Sequence, residues 1–133
     1  MKSIDIVSKL PYSAPFLFVD EITSISDNAI EGNYLFNKSH DFYRGHFKDN
    51  PVTPGVILAE CMAQIGVVSL GIYLLSKEAT ISGTPRIAMT SSNVDFIKPV
   101  YPGEKVFVKS QKKYFRFNKL KCLVVMTDAK ENI

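Results

Sequence analysis

Two side chains of this sequence, His46 and Glu60, could together carry out acid–base chemistry. His46 is one of only two histidines and lies in an irregular stretch with several prolines, whereas Glu60 lies inside the long apolar run that follows. An imidazole exchanges protons near neutral pH, and a carboxyl group can complete such a pair. A carboxylate among apolar residues is costly unless something pairs with it or uses it. These two residues are therefore the first candidates for a catalytic site.

Two neighbouring residues could support this pair. Gly55 follows a proline at the start of a predicted helix, where backbone N–H groups lack an intrahelical acceptor and can bind a carbonyl oxygen. Gln64 comes four residues after Glu60, so its amide lies on the same helical face within reach of the carboxyl group. Taken singly, a loop histidine is usually a surface residue and a helical glutamate is usually solvated. Their occurrence together in one short segment favours a functional site.

The apolar run over residues 56–75 is long enough to suggest a membrane span. Glu60 and Gln64 argue against that interpretation, because a membrane span rarely holds a carboxylate without a partner. We predict instead a buried helix over residues 54–77, with Thr53 as its N-cap. Since this helix is apolar nearly all round, the rest of the protein should enclose it.

The remaining pattern predicts strands on both sides of this helix. We expect a short helix over residues 5–10, a helical turn over 40–43, and strands over 15–20, 22–25, 29–36, 86–91, 92–98, 105–114 and 119–127. This order predicts a single α+β domain over residues 1–133, with an antiparallel sheet wrapped around one long central helix. One such sheet would leave a side of the helix poorly covered, so we expect the sheet to continue across a dimer.

The composition is typical of a soluble globular domain, with 46% hydrophobic and 22% charged residues. The N-terminus lacks the pattern of a secretory signal, and the two cysteines, Cys61 and Cys122, have neither metal-binding nor CxxC spacing. We therefore expect a cytoplasmic protein with core thiols and no metal site.

The net charge is +3, and residues 105–121 contain seven basic residues and no acidic one. A patch of this sign could steer an acidic partner, although a solvated strand face would explain any single lysine in it. Nucleic-acid binding is not indicated, because no recognised motif accompanies the charge.

The runs YRGHF at residues 43–47, NPVTPGVIL at 50–58 and ECMAQ at 60–64 carry a family resemblance. They closely resemble the signature of the hot-dog-fold 3-hydroxyacyl-[acyl-carrier-protein] dehydratases of bacterial fatty-acid synthesis. The likeness extends outward over LP at 10–11, APFLFVD at 14–20, NVDFIKPV at 93–100 and PGE at 102–104. It thus covers most of the chain and implies a hot-dog fold.

The resemblance also implies roles for five residues. His46 would be the catalytic histidine, and Glu60 would be the catalytic carboxylate, supplied by the partner subunit. The Gly55 N–H would bind the thioester carbonyl, the Val52 main-chain oxygen would accept a hydrogen bond from the histidine, and Gln64 would support the carboxylate.

The implied reaction removes water from a 3-hydroxyacyl thioester to give a trans-2-enoyl thioester. His46 would take the C2 proton, while Glu60 would help the C3 hydroxyl to leave. No metal or redox cofactor would be needed, because the thioester acidifies C2, and the phosphopantetheine arm belongs to the substrate held on acyl carrier protein. The resemblance further implies a homodimer, or a trimer of dimers. With an acidic carrier as partner, we hypothesise that the basic stretch over residues 105–121 docks it, which charge reversal at Lys112 and Lys113 would test.

Several residues depart from the family pattern. Residues 47–49 read Phe-Lys-Asp where Phe-Pro-Gly is usual, Thr53 stands where methionine is common, and residues 12–13 read Tyr-Ser instead of His-Arg. These changes affect the expected acyl chain length more than the expected chemistry. The family usually has one more strand after residue 127, which is either missing here or begins at residues 131–133.

Two alternatives remain open on the sequence. A hot-dog acyl thioesterase would use a carboxylate to activate water, and a non-catalytic acyl-binding subunit would keep the fold alone. Acyl chain length, double-bond isomerisation and a role in lipid, pigment or polyketide synthesis are also left open.

Overall fold

Four antiparallel strands form the sheet, in the order in which they occur along the chain. The computed structural model describes residues 3–78, 89–117 and 119–133. The strands are β1 (Glu21–Ile25), β2 (Ala29–Leu35), β3 (Lys105–Arg116) and β4 (Lys119–Thr127). β2 pairs with β3 across a long stretch of sequence, with Ala29 opposite Gln111 and Leu35 opposite Lys105. The four strands predicted from residues 22, 29, 105 and 119 onward are therefore confirmed.

Residues 55–78 form the central helix. They comprise α2 (Gly55–Ala63), a π-helical turn (Gln64–Val68) and α3 (Ser69–Glu78), while α1 (Ser3–Lys9) lies near the N-terminus. Ile65, Leu70 and Ile72 of the central helix are fully buried. The predicted long buried helix is confirmed, but the π turn within it was not foreseen.

The π turn lies where the helix meets the sheet. The carbonyl oxygen of Gln64 accepts the backbone N–H of Ser69 and also its hydroxyl, at 2.7 Å from Oγ. A Cβ added to Gly66 in this turn would lie 2.9 Å from the Val124 side chain of β4. The helix can therefore approach the sheet this closely only because residue 66 has no side chain.

Residues 55–77 are long and apolar enough to cross a membrane by length and composition alone, and no other described helix is. More than half of this window is buried inside the protein, as expected for the core helix of a globular domain. The structure therefore agrees with the prediction of a buried core helix.

The strand predicted over residues 15–20 is wrong. Its backbone is instead held by side chains of α2 and the π turn: Gln64 Oε1 accepts the Phe18 N–H at 2.7 Å, and Gln64 Nε2 donates to the Phe16 oxygen at 3.0 Å. The Cys61 thiol donates to the Phe18 oxygen at 3.3 Å. Helix side chains thus hold Phe16 and Phe18, while the Asp20 N–H donates to the Asn33 oxygen of β2 at 2.9 Å without a strand being formed.

Other predictions also need correction. Residues 92–98 form no strand, since the described part of the chain offers this segment no neighbouring strand to pair with, and the strand predicted over 86–91 falls partly outside the described residues. Thr53 is not the N-cap, because Pro54 occupies that position and no side chain caps the helix. Residues 131–133 begin no strand.

Candidate active site

A surface cavity of about 310 Å³ lies where the loop before α2 meets the segment before β3. Its lining residues are His46, Val52, Thr53, Gly55, Leu58, Phe96, Ile97, Lys98 and Pro99. The cavity is open to solvent, and one imidazole side chain, that of His46, lines it. It thus brings together three of the five predicted site residues.

Hydrogen bonds fix the orientation and the tautomer of His46. Nδ1 lies 3.0 Å from the carbonyl oxygen of Val52, the Val52 N–H donates to the His46 oxygen at 2.8 Å, and the His46 N–H donates to the Phe42 oxygen at 3.1 Å. A carbonyl oxygen can only accept, so the neutral imidazole carries its proton on Nδ1. Its Nε2 is then left with a free lone pair and can act as a base.

Gly55 presents a backbone donor to the same cavity. The N–H groups of Ile57 and Leu58 bond to the Pro54 oxygen, which makes Gly55 the first residue of the helix. Its N–H therefore has no intrahelical acceptor and can bind a ligand oxygen. A Cβ added at Gly55 would lie 3.2 Å from the ring of Phe96, so a larger residue would crowd the cavity.

Glu60 is oriented by Gln64. The Gln64 side chain is fully buried and its Nε2 donates to Glu60 Oε2 at 3.0 Å, in addition to its two bonds with residues 16 and 18. If the amide were inverted, its NH₂ group would face the Phe18 N–H, and its oxygen would face the Phe16 oxygen and Glu60 Oε2. These contacts would be repulsive, so the orientation of the amide is fixed. Because Oε2 accepts this bond, a proton on the carboxyl group belongs on Oε1.

Within this chain Glu60 does not line the cavity that holds His46. Glu60 comes five residues after Gly55, which places the two about 140° apart around the helix and about 7.5 Å apart along it. The five predicted residues therefore form two groups, His46 with Val52 and Gly55, and Glu60 with Gln64. The helix geometry directs these groups to different sides of one subunit.

Two features near the site were missed by the sequence reasoning. The Tyr43 hydroxyl forms a hydrogen bond with the Thr53 hydroxyl, with the oxygens 2.5 Å apart. The only sign of this bond in the sequence was the threonine at position 53, where methionine is common in the resembling family. Burial raises the pKa of Tyr12, and the charge of Glu60 raises it further, so this residue lies close to the carboxylate. Tyr12 is one of the departures from the family pattern, which was its only signal.

Among the described residues, no three His, Cys, Asp or Glu side chains lie close enough to hold a metal ion. The predicted need for no metal or redox cofactor stays a prediction.

Residues 10–132 match the family model of the FabA-like domain. The chain belongs to the FabA-like family. This membership confirms the family resemblance found in the sequence, and it covers the cavity, the central helix and all four strands.

Curated relatives of this FabA-like chain are named 3-hydroxyacyl-[acyl-carrier-protein] dehydratase FabZ. The relative from Rhizobium etli is 40% identical over 124 residues, covering 90% of this chain and 76% of the relative. The relative from Brucella abortus is 34% identical over 133 residues, covering 94% and 79%. The relative from Acinetobacter baumannii is 34% identical over 102 residues, covering 77% and 68%.

Among solved structures, the FabA-like chain is similar to the dehydratase heterocomplex ApeI:P from Xenorhabdus doucetiae. The TM-score is 0.69 at 13% identity, and the match covers 97% of this chain and 83% of the other. At this identity the likeness concerns the fold alone. Together with the sheet and central helix described above, it confirms the predicted hot-dog fold.

Proposed function

We propose that this protein is a hydro-lyase that removes water from 3-hydroxyacyl thioesters carried on acyl carrier protein. The observation that carries the proposal is that one cavity is lined by both His46, whose Nε2 lone pair is available, and Gly55, whose N–H has no intrahelical acceptor. A base and an oxyanion donor are the two groups needed to remove a proton next to a thioester carbonyl. The names of the curated relatives agree with this activity.

In the proposed reaction, His46 Nε2 takes a proton from C2 while the Gly55 N–H binds the thioester oxygen, which gains negative charge. The C3–O bond then breaks, the C2=C3 double bond forms, and the hydroxyl leaves as water with the proton from Glu60 Oε1. General acid–base assistance contributes about 10²–10⁴-fold in rate. The proton taken by His46 then passes to the Glu60 carboxylate, directly or by way of solvent, which restores both groups before the next turnover.

The complete site requires a second copy of this chain. Glu60 does not line the cavity of its own subunit, so in this proposal the partner subunit supplies the carboxylate in a homodimer. The segments predicted as strands over 86–91 and 92–98 expose large apolar side chains, Met89 in the first and Phe96 and Ile97 in the second, on which a second copy could pack. A trimer of dimers is a further expectation from the resemblance.

The carrier protein docks at the mouth of the cavity in this proposal. Lys98 lines the cavity, and Lys48 follows Phe47, whose ring stacks on His46 with centroids 4.1 Å apart. Lys105 lines a second surface depression together with Lys98, and Lys112 lies seven residues along β3 from Lys105, or about 24 Å away in an extended strand. Charge reversal of Lys48 should therefore raise the KM for carrier-linked substrate more than charge reversal of Lys112 does.

A product assay tests the proposed function against the thioesterase alternative. The protein is incubated with a carrier-linked 3-hydroxyacyl substrate, and enoyl thioester and free thiol are measured in the same sample. We expect enoyl thioester without thiol release. Thiol release without enoyl product would indicate a thioesterase, and neither product would indicate a non-catalytic acyl-binding subunit. The cytoplasmic location stays a prediction.

A further inference from the structure

We propose that the hydrogen bond between Tyr43 and Thr53 clamps the loop that carries His46, so that these two are positioning residues for the base. The inference rests on the proposed dehydratase function for its activity readout, but its geometry does not depend on that function. The two hydroxyl oxygens lie 2.5 Å apart, on side chains only 5% and 4% exposed.

The clamp joins the two ends of the loop. Tyr43 follows Phe42, whose carbonyl oxygen accepts the His46 N–H. Thr53 follows Val52, whose carbonyl oxygen accepts the imidazole proton and whose N–H donates back to the His46 oxygen. Both backbone anchors of His46 are therefore immediate neighbours of the clamped residues, and the distance between these anchors is set by the clamp.

Each end of the clamp is itself held in place. The Tyr43 ring contacts that of Phe42 edge to face, with centroids 4.7 Å apart, and belongs to the buried core. The Thr53 N–H donates to the Val100 oxygen at 2.8 Å, which ties it to the segment along the other side of the cavity. Since both residues are buried, loss of one hydroxyl leaves the other without this partner.

Thr53 also lines the cavity, and this leaves a rival role as a wall that selects the acyl group. The commitment of its hydroxyl to Tyr43 favours the clamp. A methionine at this position, common in the resembling family, could fill space there but could not bond a phenol. The clamp is thus a property of this chain's own residues.

Near-isosteric variants separate these roles. Thr53→Val and Tyr43→Phe each remove one hydroxyl and nearly conserve volume, and Thr53→Ser keeps the hydroxyl. We expect each of the first two to lower kcat about tenfold with KM little changed, and Thr53→Ser to retain near wild-type kcat. Because the two hydroxyls act as one unit, the double variant should be about as active as either single variant and not about a hundredfold slower.

A second readout does not need activity. The chain has two histidines, and His40 Nε2 bonds to the buried Tyr34 hydroxyl at 2.8 Å, which makes Tyr34→Phe a matched control. In nuclear magnetic resonance spectra, Thr53→Val should shift the His46 imidazole signals, whereas Tyr34→Phe should shift those of His40 and leave His46 unchanged.

Unchanged His46 signals in Thr53→Val would overturn the clamp, as would a lower Tm with unchanged kcat. A change confined to KM and acyl chain length preference would likewise overturn it in favour of the wall. An inactive wild-type protein would instead contradict the proposed function, and the spectra would still decide on the clamp.

Discussion

The Gln64 carboxamide nitrogen donates one hydrogen bond to Glu60 Oε2 and another to the Phe16 oxygen, both at 3.0 Å. The same side chain therefore orients the candidate acid and holds the extended segment next to the helix. A change at Gln64 would therefore disturb both the orientation of Glu60 and the packing of this segment against the helix.

Replacement of Gln64 by Ala should lower both stability and activity. It would leave the Phe18 N–H and the Phe16 oxygen without their partner, at a cost of roughly 3 kcal/mol in the free energy of unfolding. Glu60→Gln is the matched variant, because it removes the acid but can keep the hydrogen bond from Gln64. Chemical denaturation should show a loss of stability for the first variant and little for the second. Equal losses would contradict the arrangement.

Mixed subunits test whether Glu60 acts across a dimer. His46→Ala and Glu60→Gln chains are each expected to be inactive alone. After denaturation together and refolding, half of the dimers are mixed and each mixed dimer has one intact site, so about a quarter of wild-type activity should return. If His46 and Glu60 of the same chain worked together, mixing would restore nothing.

Gly55→Ala tests the backbone donor in the cavity. The added Cβ would lie 3.2 Å from the Phe96 ring and would crowd the thioester oxygen, so we expect kcat/KM to fall about tenfold. Gly71→Ala is the control, since its Cβ would meet only Leu120 at an ordinary 3.5 Å. Steady-state kinetics of both variants should differ accordingly, and comparable losses would argue against a special role for residue 55.

The pair of Asp128 with Lys98 at the cavity mouth predicts a pH dependence of stability. The hydrogen bond from Lys98, and those from the N–H groups of Asn132 and Lys130, hold the pKa of Asp128 below its ordinary value. A lowered folded-state pKa stabilises the protein above the unfolded value of about 3.9, and this contribution is lost as the pH falls below it.

Asp128→Asn should therefore lower Tm slightly at pH 7, and the difference from wild type should shrink below about pH 4. Thermal unfolding across this range measures the effect. A Tm difference that stays constant down to the lowest pH would show that the charge of Asp128 is not its source.

The sequence predicted the elements whose partners are local or strongly patterned. β4 begins and ends where predicted, and the helix begins at Gly55, one residue after the predicted start at Pro54. The segments over 15–20 and 92–98 have the apolar composition of strands, but a strand also needs a neighbour to pair with. That neighbour is set by long-range packing, which composition does not reveal.

The site shows the same division. His46, Gly55 and Gln64 were found from residue type and position; the structure shows hydrogen bonds of His46 and Gln64 and places Gly55 at the helix start. The Tyr43–Thr53 bond spans ten residues of irregular loop, so no periodicity predicts it. The sequence marked Thr53 only as a departure from a family pattern, and its partner became visible only in the fold.

The most direct test of the proposed mechanism compares the two histidines. Dehydration of a carrier-linked 3-hydroxyacyl substrate is measured for the wild type, for His46→Ala and for His40→Ala, whose imidazole bonds to Tyr34 outside the cavity. We expect kcat to fall by about 10²-fold or more for His46→Ala and to change little for His40→Ala. Unchanged turnover in His46→Ala would contradict its assignment as the base.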